Sequence, residues 1–125
     1  MVLDITIIKK ENYSYLVELK GSLDTDTHDK LEKEMKEIID DNIKAVVFDM
    51  TGVDYVSSMG LGVVVWVKKT LERRDAIFTM INLQPQIKKL FDLMKLTPNI
   101  KIHDIPAGDK YIDQIIKEET EKQVE

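Results

Sequence analysis

The sequence predicts an α/β fold built on a mixed β-sheet, and three observations support this prediction. Apolar and polar residues alternate at 3–7 and again at 13–19, as they do in half-buried strands. The run at 45–48 is continuously apolar and rich in β-branched residues, which is typical of a central strand covered on both faces. Helical and strand patterns then alternate, which is the order of a sheet with right-handed crossovers.

Local signals mark the ends of the first elements. The polar link at 10–12 suits a hairpin between the first two strands. The cluster Asp-Thr-Asp at 24–26 offers a cap for a first helix. After the strand at 45–48, the chain is expected to leave the sheet in a loop at 49–54. The apolar positions of the first helix recur at helical spacing and are Leu31, Met35, Ile38 and Ile39.

In the second half, Ser57 and Ser58 precede a helix predicted from about Met59 to Arg74. A strand at 76–83 follows, and a third helix opens at Pro85, because proline lacks the N–H that would be unpaired at this position. The apolar face of the third helix is predicted to hold Ile87, Leu90, Phe91 and Met94.

The chain is divided into a domain at 1–106 and a C-terminal amphipathic helix with a charged tail at 107–125. An edge strand is expected at 101–105, and the charged tail is expected from Lys117 to Glu125. The last helix is expected to pack on the domain, and a dimer interface or a docking surface for another protein are the alternatives. Its apolar residues are Tyr111, Ile112, Ile115 and Ile116.

Composition narrows the functional classes. The chain has 125 residues, which indicates one domain, and a formal net charge of −5, which disfavours direct binding to nucleic acid. It has no cysteine, so disulfides and thiolate zinc sites are excluded. The longest apolar run, at 61–67, is too short to cross a bilayer, and no signal-peptide pattern is present. We expect a cytoplasmic protein that does not insert into membranes.

Three kinds of active or binding site are weakly supported. A serine hydrolase needs a Gly-x-Ser-x-Gly elbow and a histidine base, but the elbow is absent, and His28 and His103 lack a triad signature. The spacing of Asp24, Asp26, His28 and Asp29 matches no zinc or calcium pattern, so helix capping is favoured there. A dinucleotide fingerprint that begins at Gly60 would need a glycine at Val65.

The segment at 49–63 remains the best candidate site, because it lies between a central strand and a helix. A serine hydroxyl at a helix start can cap exposed N–H groups, and a phosphate placed there would face the same donors and the positive end of the helix dipole. It would also add negative charge beside an acidic rim formed by Asp24, Asp26 and Asp54. From these residues alone, simple capping is favoured over phosphorylation.

Three sequence motifs, found in this order along the chain, shift the interpretation from simple helix capping towards phosphorylation. They are Gly-Ser-Leu-Asp at 21–24, Val-Phe-Asp-Met-Thr at 47–51 and Tyr-Val-Ser-Ser-Met-Gly-Leu-Gly-Val at 55–63. Over residues 3 to 105 the sequence resembles the STAS-domain family, specifically bacterial anti-sigma-factor antagonists. The resemblance implies a mixed sheet of about four or five strands, covered mainly on one side by about three or four helices.

The resemblance also implies a phosphorylation switch without enzyme activity or a cofactor of its own. The unmodified protein would bind an anti-sigma factor that is also a serine kinase, so that the sigma factor is released and transcription is regulated. The kinase would phosphorylate the antagonist, and a PP2C-type phosphatase would reverse the reaction. A homodimer is left open. The alternative is a STAS scaffold or transport-associated regulatory subunit whose serines only cap the helix.

Residue by residue, the phosphoacceptor of the family aligns with Ser58 and its loop acid with Asp24. Two positions depart from the family: Ser57 stands where well-studied members have aspartate, so it is an alternative acceptor, and Met59 replaces a small residue. We expect the helix to bury Leu61, Val64, Val67 and Leu71, and to present Met59, Gly62, Trp66, Lys69 and Arg73 opposite them. For Met59 and Trp66, burial under neighbouring helices is the alternative to contact with the partner. The predicted partner-binding residues are Asp24, Ser57, Met59, Gly60, Gly62 and Trp66.

Overall fold

A computed structural model describes residues 2–97, 99–105 and 109–122, with only the backbone at 109, 110 and 122. The described residues form a sheet of five strands and four helices. In chain order the elements are β1 (Leu3–Lys10), β2 (Ser14–Leu23), α1 (His28–Ile38), β3 (Ala45–Val56), α2 (Ser58–Arg73), β4 (Ile77–Ile81), α3 (Pro85–Leu93), β5 (Lys101–His103) and α4 (Asp109–Lys122).

The strand order in the sheet follows the chain order, from β1 to β5. Strand β1 pairs with β2 in the antiparallel sense, and β2, β3, β4 and β5 are parallel to one another. Because the order advances in one direction, right-handed crossovers place α1, α2 and α3 on the same face of the sheet. The predicted mixed α/β sheet is confirmed.

The main hydrophobic core lies between the sheet and these three helices. Its centre includes Phe48 and Phe78 on adjacent strands, whose rings meet edge to face with centroids 4.9 Å apart. The predicted core face of α2 is confirmed, because all four of its residues are buried: Leu61, Val64, Val67 and Leu71. Helix α2 is therefore fixed in rotation about its axis, which determines the side chains that it presents to solvent.

Helix α4 covers part of the opposite face of the sheet. Ile112 and Ile116 are buried there in a second cluster with Leu16, Val47 and Ile81, and Ile115 packs beside them. Ion pairs join Lys10 to Asp113, with 3.2 Å between Nζ and Oδ1, and Lys101 to Glu119. The prediction that the last helix packs on the domain is confirmed.

Strand β3 is longer than predicted, and the loop expected at 49–54 was wrong. The strand continues to Val56 because β2 continues beside it to Leu23, and the two stay paired through Lys20 with Gly52 and Leu23 with Val56. The register shifts twice along this stretch, so the pattern in the sequence is irregular even though the strand is continuous.

Other boundaries also differ from the prediction. The prediction of a charged tail that begins at Lys117 was wrong for residues 117–122, because α4 continues to Lys122. Residues 123–125 and the domain boundary predicted between 106 and 107 lie outside the described residues. Met94 was wrongly placed on the apolar face of α3, since that helix ends at Leu93 and Met94 is 55% exposed.

The packing of α4 can be tested by truncating one of its buried side chains. Ile116→Ala should lower the free energy of unfolding by about 2–4 kcal/mol, because Ile116 is only 4% exposed. The exposed neighbour Lys117 provides the control, and Lys117→Ala should change stability by less than about 0.5 kcal/mol. Chemical denaturation measures both. Equal effects of the two substitutions would contradict the packing of α4 on the sheet.

Candidate functional site

Ser57 caps helix α2. Its backbone is extended, with φ −85° and ψ 174°, and its hydroxyl oxygen accepts a hydrogen bond from the Gly60 N–H at 3.2 Å. The Ser57 N–H itself donates to the carbonyl of Leu23 at 2.9 Å, which ties the start of the helix to the end of β2. Ser57 is half-buried, and its hydroxyl is engaged in the helix cap.

Ser58 is the first residue of α2, one position earlier than the sequence predicted. Its side chain is exposed, and the described residues provide no hydrogen-bond partner for its hydroxyl. The cap is made by the neighbouring residue Ser57, so the structure of the helix start does not depend on the Ser58 hydroxyl. Ser58 is thus a nucleophilic group on the surface with no evident structural task.

Backbone donors at the start of α2 are available for an anion. The Gly60 N–H binds Ser57 Oγ, and the Leu61 N–H donates to the Ser57 carbonyl at 2.8 Å. Within the described part of the chain, the N–H groups of Ser58 and Met59 have no acceptor, as expected in the first turn of a helix. The first turn of α2 also has no acidic side chain. A phosphate here would meet unpaired donors and the positive end of the helix dipole.

Gly60 allows the first turn of α2 to lie directly against the end of β2. A Cβ atom at this position would come within 2.3 Å of the Leu23 carbonyl oxygen, where no side chain fits. Gly60 is buried, whereas Gly62 is exposed and a Cβ atom there would meet nothing within 4 Å. Gly60 therefore has a packing role, and contact of either glycine with a partner stays a prediction.

Asp24 organises the loop between β2 and α1. Its Oδ1 accepts hydrogen bonds from the N–H groups of Asp26, at 2.9 Å, and Thr27, at 3.1 Å. The Thr27 hydroxyl accepts from the Asp24 N–H and donates to the Ser22 carbonyl. The N-cap of α1 is Thr27 rather than a residue of 24–26, which corrects the prediction. Asp24 is 7% exposed, so it shapes this loop mainly from within.

The exposed acidic groups near the site come from other positions. Asp26 and Asp54 are both exposed, and Asp54 Oδ1 accepts a hydrogen bond from the Ser22 hydroxyl at 3.3 Å. The bond from Ser22 connects the end of β3 with the end of β2. Of the three acids predicted for the rim, Asp26 and Asp54 carry the solvent-facing charge.

Two large apolar side chains are exposed next to the serines. Met59, in the first turn of α2, is 49% exposed, and Tyr55, at the end of β3, is 50% exposed. Tyr55 was not among the predicted contact residues. Its signal in the sequence is weak, because exposure of both Asp54 and Tyr55 breaks the alternation expected of a strand. Tyr55 lies three residues before Ser58 in the chain and Met59 one residue after it, and these two exposed side chains are called the apolar patch.

Trp66 is neither fully exposed, as contact with a partner would favour, nor fully buried under neighbouring helices. The side chain is half-buried and packs against the main core, while Lys36 Nζ lies 5.7 Å from the centre of the indole ring. Trp66 follows Ser58 by eight residues, which corresponds to about 12 Å along the helix. Lys69 and Arg73, further along the same stripe, are exposed as predicted.

The histidines are not placed to activate the serines. His28 Nδ1 lies 2.8 Å from the Thr25 carbonyl oxygen, and its Nε2 lies 3.0 Å from Asp29 Oδ1. In β5, Ile102 packs on the main core, so His103 points to the opposite face of the sheet from α2. Among the described residues, no group of three histidine or acidic side chains could hold a metal ion, and no helix is long and apolar enough to cross a membrane.

Comparison with known proteins identifies the family. The STAS-domain profile matches residues 5–106, and the chain therefore belongs to the STAS-domain family.

The proteins similar to this chain include two relatives and one solved structure, as follows. It is 31% identical over 75 residues to a putative anti-sigma factor antagonist, BtrV, of Bordetella bronchiseptica, a match that spans 60% of this chain and 65% of the relative. It is 27% identical to an anti-sigma-B factor antagonist of Staphylococcus epidermidis over 83% of this chain and 95% of the relative. The Bacillus cell fate determinant SpoIIAA in its phosphorylated form shares the fold, with a TM-score of 0.74 and 18% identity over 90% of this chain and 99% of that structure.

The different roles of the two glycines can be tested by giving each a methyl group. Gly60→Ala should destabilise the protein by about 1–3 kcal/mol, because the new Cβ atom would overlap the Leu23 carbonyl. Gly62→Ala should stabilise it by about 0.5–1 kcal/mol, because alanine is the better helix former and the site has room. Thermal and chemical unfolding measure both variants. If the two variants unfolded alike, the close approach of α2 to β2 would be wrong.

Proposed function

We propose that this chain is an anti-sigma-factor antagonist whose binding to an anti-sigma factor is switched by phosphorylation of Ser58. The observation that carries this proposal is that two adjacent serines differ in exposure and in structural role. Ser57 caps α2 and is half-buried, while Ser58 is exposed at the first position of the helix. The names of the Bordetella and Staphylococcus relatives support the functional class.

Accessibility favours Ser58 over Ser57 as the acceptor. A kinase must bring the hydroxyl oxygen into line with the transferred phosphoryl group, which requires a side chain that reaches out of the surface. Modifying Ser57 would also replace the hydroxyl that accepts the bond from the Gly60 N–H, and would place a bulky dianion where the chain packs against Leu23. Ser58 can be modified without disturbing either contact.

The phosphate would act on the surface rather than on the fold. It adds a charge of about −1.5 to −2 at neutral pH. The exposed carboxylates of Asp26 and Asp54 already make the nearby surface acidic, and Tyr55 and Met59 offer apolar area that a partner can bury. A partner surface that fits the unmodified patch would then face a hydrated dianion, which is costly to bury without a cationic partner.

The apolar patch is the centre of the proposed partner surface. Tyr55 and Met59 flank Ser58, and large apolar or aromatic anchors contribute disproportionately to interface energy. Gly62 and Trp66 extend this surface along α2, and Asp24 holds the adjoining loop in shape. In this proposal Ser57 and Gly60 contribute through the position of the helix start.

The chemistry of the switch would come from other proteins. An anti-sigma factor with serine kinase activity would use ATP to phosphorylate Ser58, and a PP2C-type phosphatase would remove the phosphate. The chain itself would act as a binding module in the cytoplasm, without catalysis and without a cofactor. The arrangement of His28 and His103 supports a lack of catalysis by the serines, because neither ring is directed toward them.

The acceptor can be identified by fragment-ion mass analysis of the protein isolated from its own cells. A species heavier by about 80 Da, the mass of a phosphoryl group, should map to Ser58 and be lost in Ser58→Ala. Ser57→Ala should retain that species, although it should lower stability by about 1 kcal/mol because the helix loses its cap.

Two outcomes would count against the proposal. A phosphate that maps to Ser57 would overturn the choice of acceptor. Absence of any phosphorylated species in growing, stressed and stationary cells would favour a scaffold STAS protein whose serines only cap the helix. Comparison of Ser57→Ala with Ser58→Ala by thermal unfolding provides the internal control, since only Ser57→Ala should lower stability.

A further inference from the structure

The sheet has one long open edge. Strands β1 and β5 lie at its two ends, and β5 has only three residues whereas β1 has eight. An edge strand presents unpaired backbone N–H and C=O groups to solvent, and a strand from another molecule can pair with them. The outer edge of β1 is therefore the place in the described fold where backbone pairing can continue.

The hydrogen bonds to β2 determine which groups of β1 face outward. The Ser22 N–H donates to the Val2 carbonyl, and Leu3 lies opposite Gly21 in an uninterrupted antiparallel register. In such a ladder, alternate residues exchange bonds with the neighbouring strand. The even-numbered residues of β1 thus bond to β2, and the backbone groups of the odd-numbered residues point away from it.

One end of this edge is already closed by a side chain. Lys30, in α1, donates from Nζ to the Leu3 carbonyl at 2.8 Å. The residues whose outward N–H and C=O are both open are Ile5, Ile7 and Lys9, and among the described residues none of these groups has a partner. The open segment is therefore centred on Ile7.

We propose that a second copy of this chain binds this edge, with the two β1 strands antiparallel and Ile7 opposite Ile7 of the other copy. This register pairs Ile5 with Lys9 of the second copy and satisfies the outward backbone groups of all three residues on both strands. It would join two five-stranded sheets into one continuous sheet across a two-fold axis.

Charge complementarity supports the same register. Asp4, Ile8 and Lys10 share one face of β1, the face that α4 partly covers, because Ile8 packs on the cluster beneath α4 and Lys10 pairs with Asp113. With Ile7 at the centre, Asp4 would lie opposite Lys10 of the second copy, where it would join the existing ion pair of Lys10 with Asp113, and this arrangement would occur twice. Opposite charges directly across two strands are favourable.

Neighbouring registers fit less well. Moving the centre to Thr6 would require the Leu3 carbonyl, which Lys30 occupies, and would place Asp4 opposite Ile8. Moving the centre to Ile8 would place Ile5 opposite Glu11, which lies beyond the end of β1. The register centred on Ile7 uses the whole open segment.

The site around Ser58 would stay accessible in such a dimer. Helix α2 connects β3 to β4, so it lies over the middle of the sheet, whereas the proposed contact is along β1. Pairing along a single edge buries less area than a standard stable interface. We therefore expect a weak dimer that forms at high protein concentration and is independent of phosphorylation at Ser58.

A single cysteine tests the register, because the natural chain has none. Opposed residues of a hydrogen-bonded antiparallel pair have Cα atoms about 5.5 Å apart, within the disulfide range of about 4.4–6.8 Å. Ile7→Cys should form a disulfide-linked dimer under mild oxidation. Lys69→Cys, at an exposed position of α2 over the middle of the sheet, is the control and should stay largely monomeric at the same concentration. Equal cross-linking of the two variants, or none in either, would overturn the proposal.

A proline tests the role of the backbone. Lys9→Pro removes an outward N–H that β2 does not use, which edge strands tolerate, while Lys9→Ala removes only the exposed side chain. By sedimentation equilibrium, Lys9→Pro should raise the dimer dissociation constant at least about tenfold relative to Lys9→Ala. A wild-type protein that remains monomeric up to millimolar concentration, or a Lys9→Pro dimer as tight as that of Lys9→Ala, would contradict the proposal. If Lys9→Pro fails to fold, the cysteine experiment decides alone.

Discussion

The carbonyl of Leu23 and the first turn of α2 are in such close contact that residue 60 has no room for a side chain. The same carbonyl accepts the Ser57 N–H, so a single backbone oxygen at the end of β2 fixes both the cap and the third residue of the helix. The buried face of α2 is held against the sheet by five core residues: Leu61, Val63, Val64, Val67 and Leu71. The position and rotation of the helix start are therefore determined before any partner binds.

This constraint separates the two serines. Ser57 is turned inward because its N–H binds Leu23 and its hydroxyl binds the Gly60 N–H. Ser58 is consequently turned outward, and its sequence neighbours Tyr55 and Met59 are also exposed. A modification of Ser58 would leave the contacts that hold the helix unchanged, so its effect would be on the surface charge and on the partners that the surface can accept.

The sequence predicted the parts of the fold that depend on local patterns. Alternation identified β1 and β2, and helical spacing identified the buried face of α2, because both patterns reflect which side of one element meets the core. The extension of β3 to Val56 was missed because it depends on pairing with β2 across two register shifts, which no local pattern encodes. The exposure of Met94 was missed because α3 ends at Leu93, one residue before Met94.

The functional site was also predicted only in part, because local patterns locate the helix start but do not specify contacts between elements. The motif and the helix start located Ser57 and Ser58, but only the structure assigns the cap to Ser57. The burial of Asp24 follows from hydrogen bonds to Asp26 and Thr27, so a residue expected on a rim instead shapes its loop from inside. The exposure of Tyr55 depends on how β3 ends at the sheet border, which the sequence does not specify.

The most direct test is to measure, by titration calorimetry, how tightly the proposed anti-sigma kinase partner binds this chain with and without phosphoserine at position 58. The account predicts that the phosphorylated protein keeps its thermal stability and binds at least about tenfold more weakly. Equal affinities of the two forms would contradict the proposed switch. Loss of binding together with loss of the fold would contradict the claim that the phosphate acts on the surface alone.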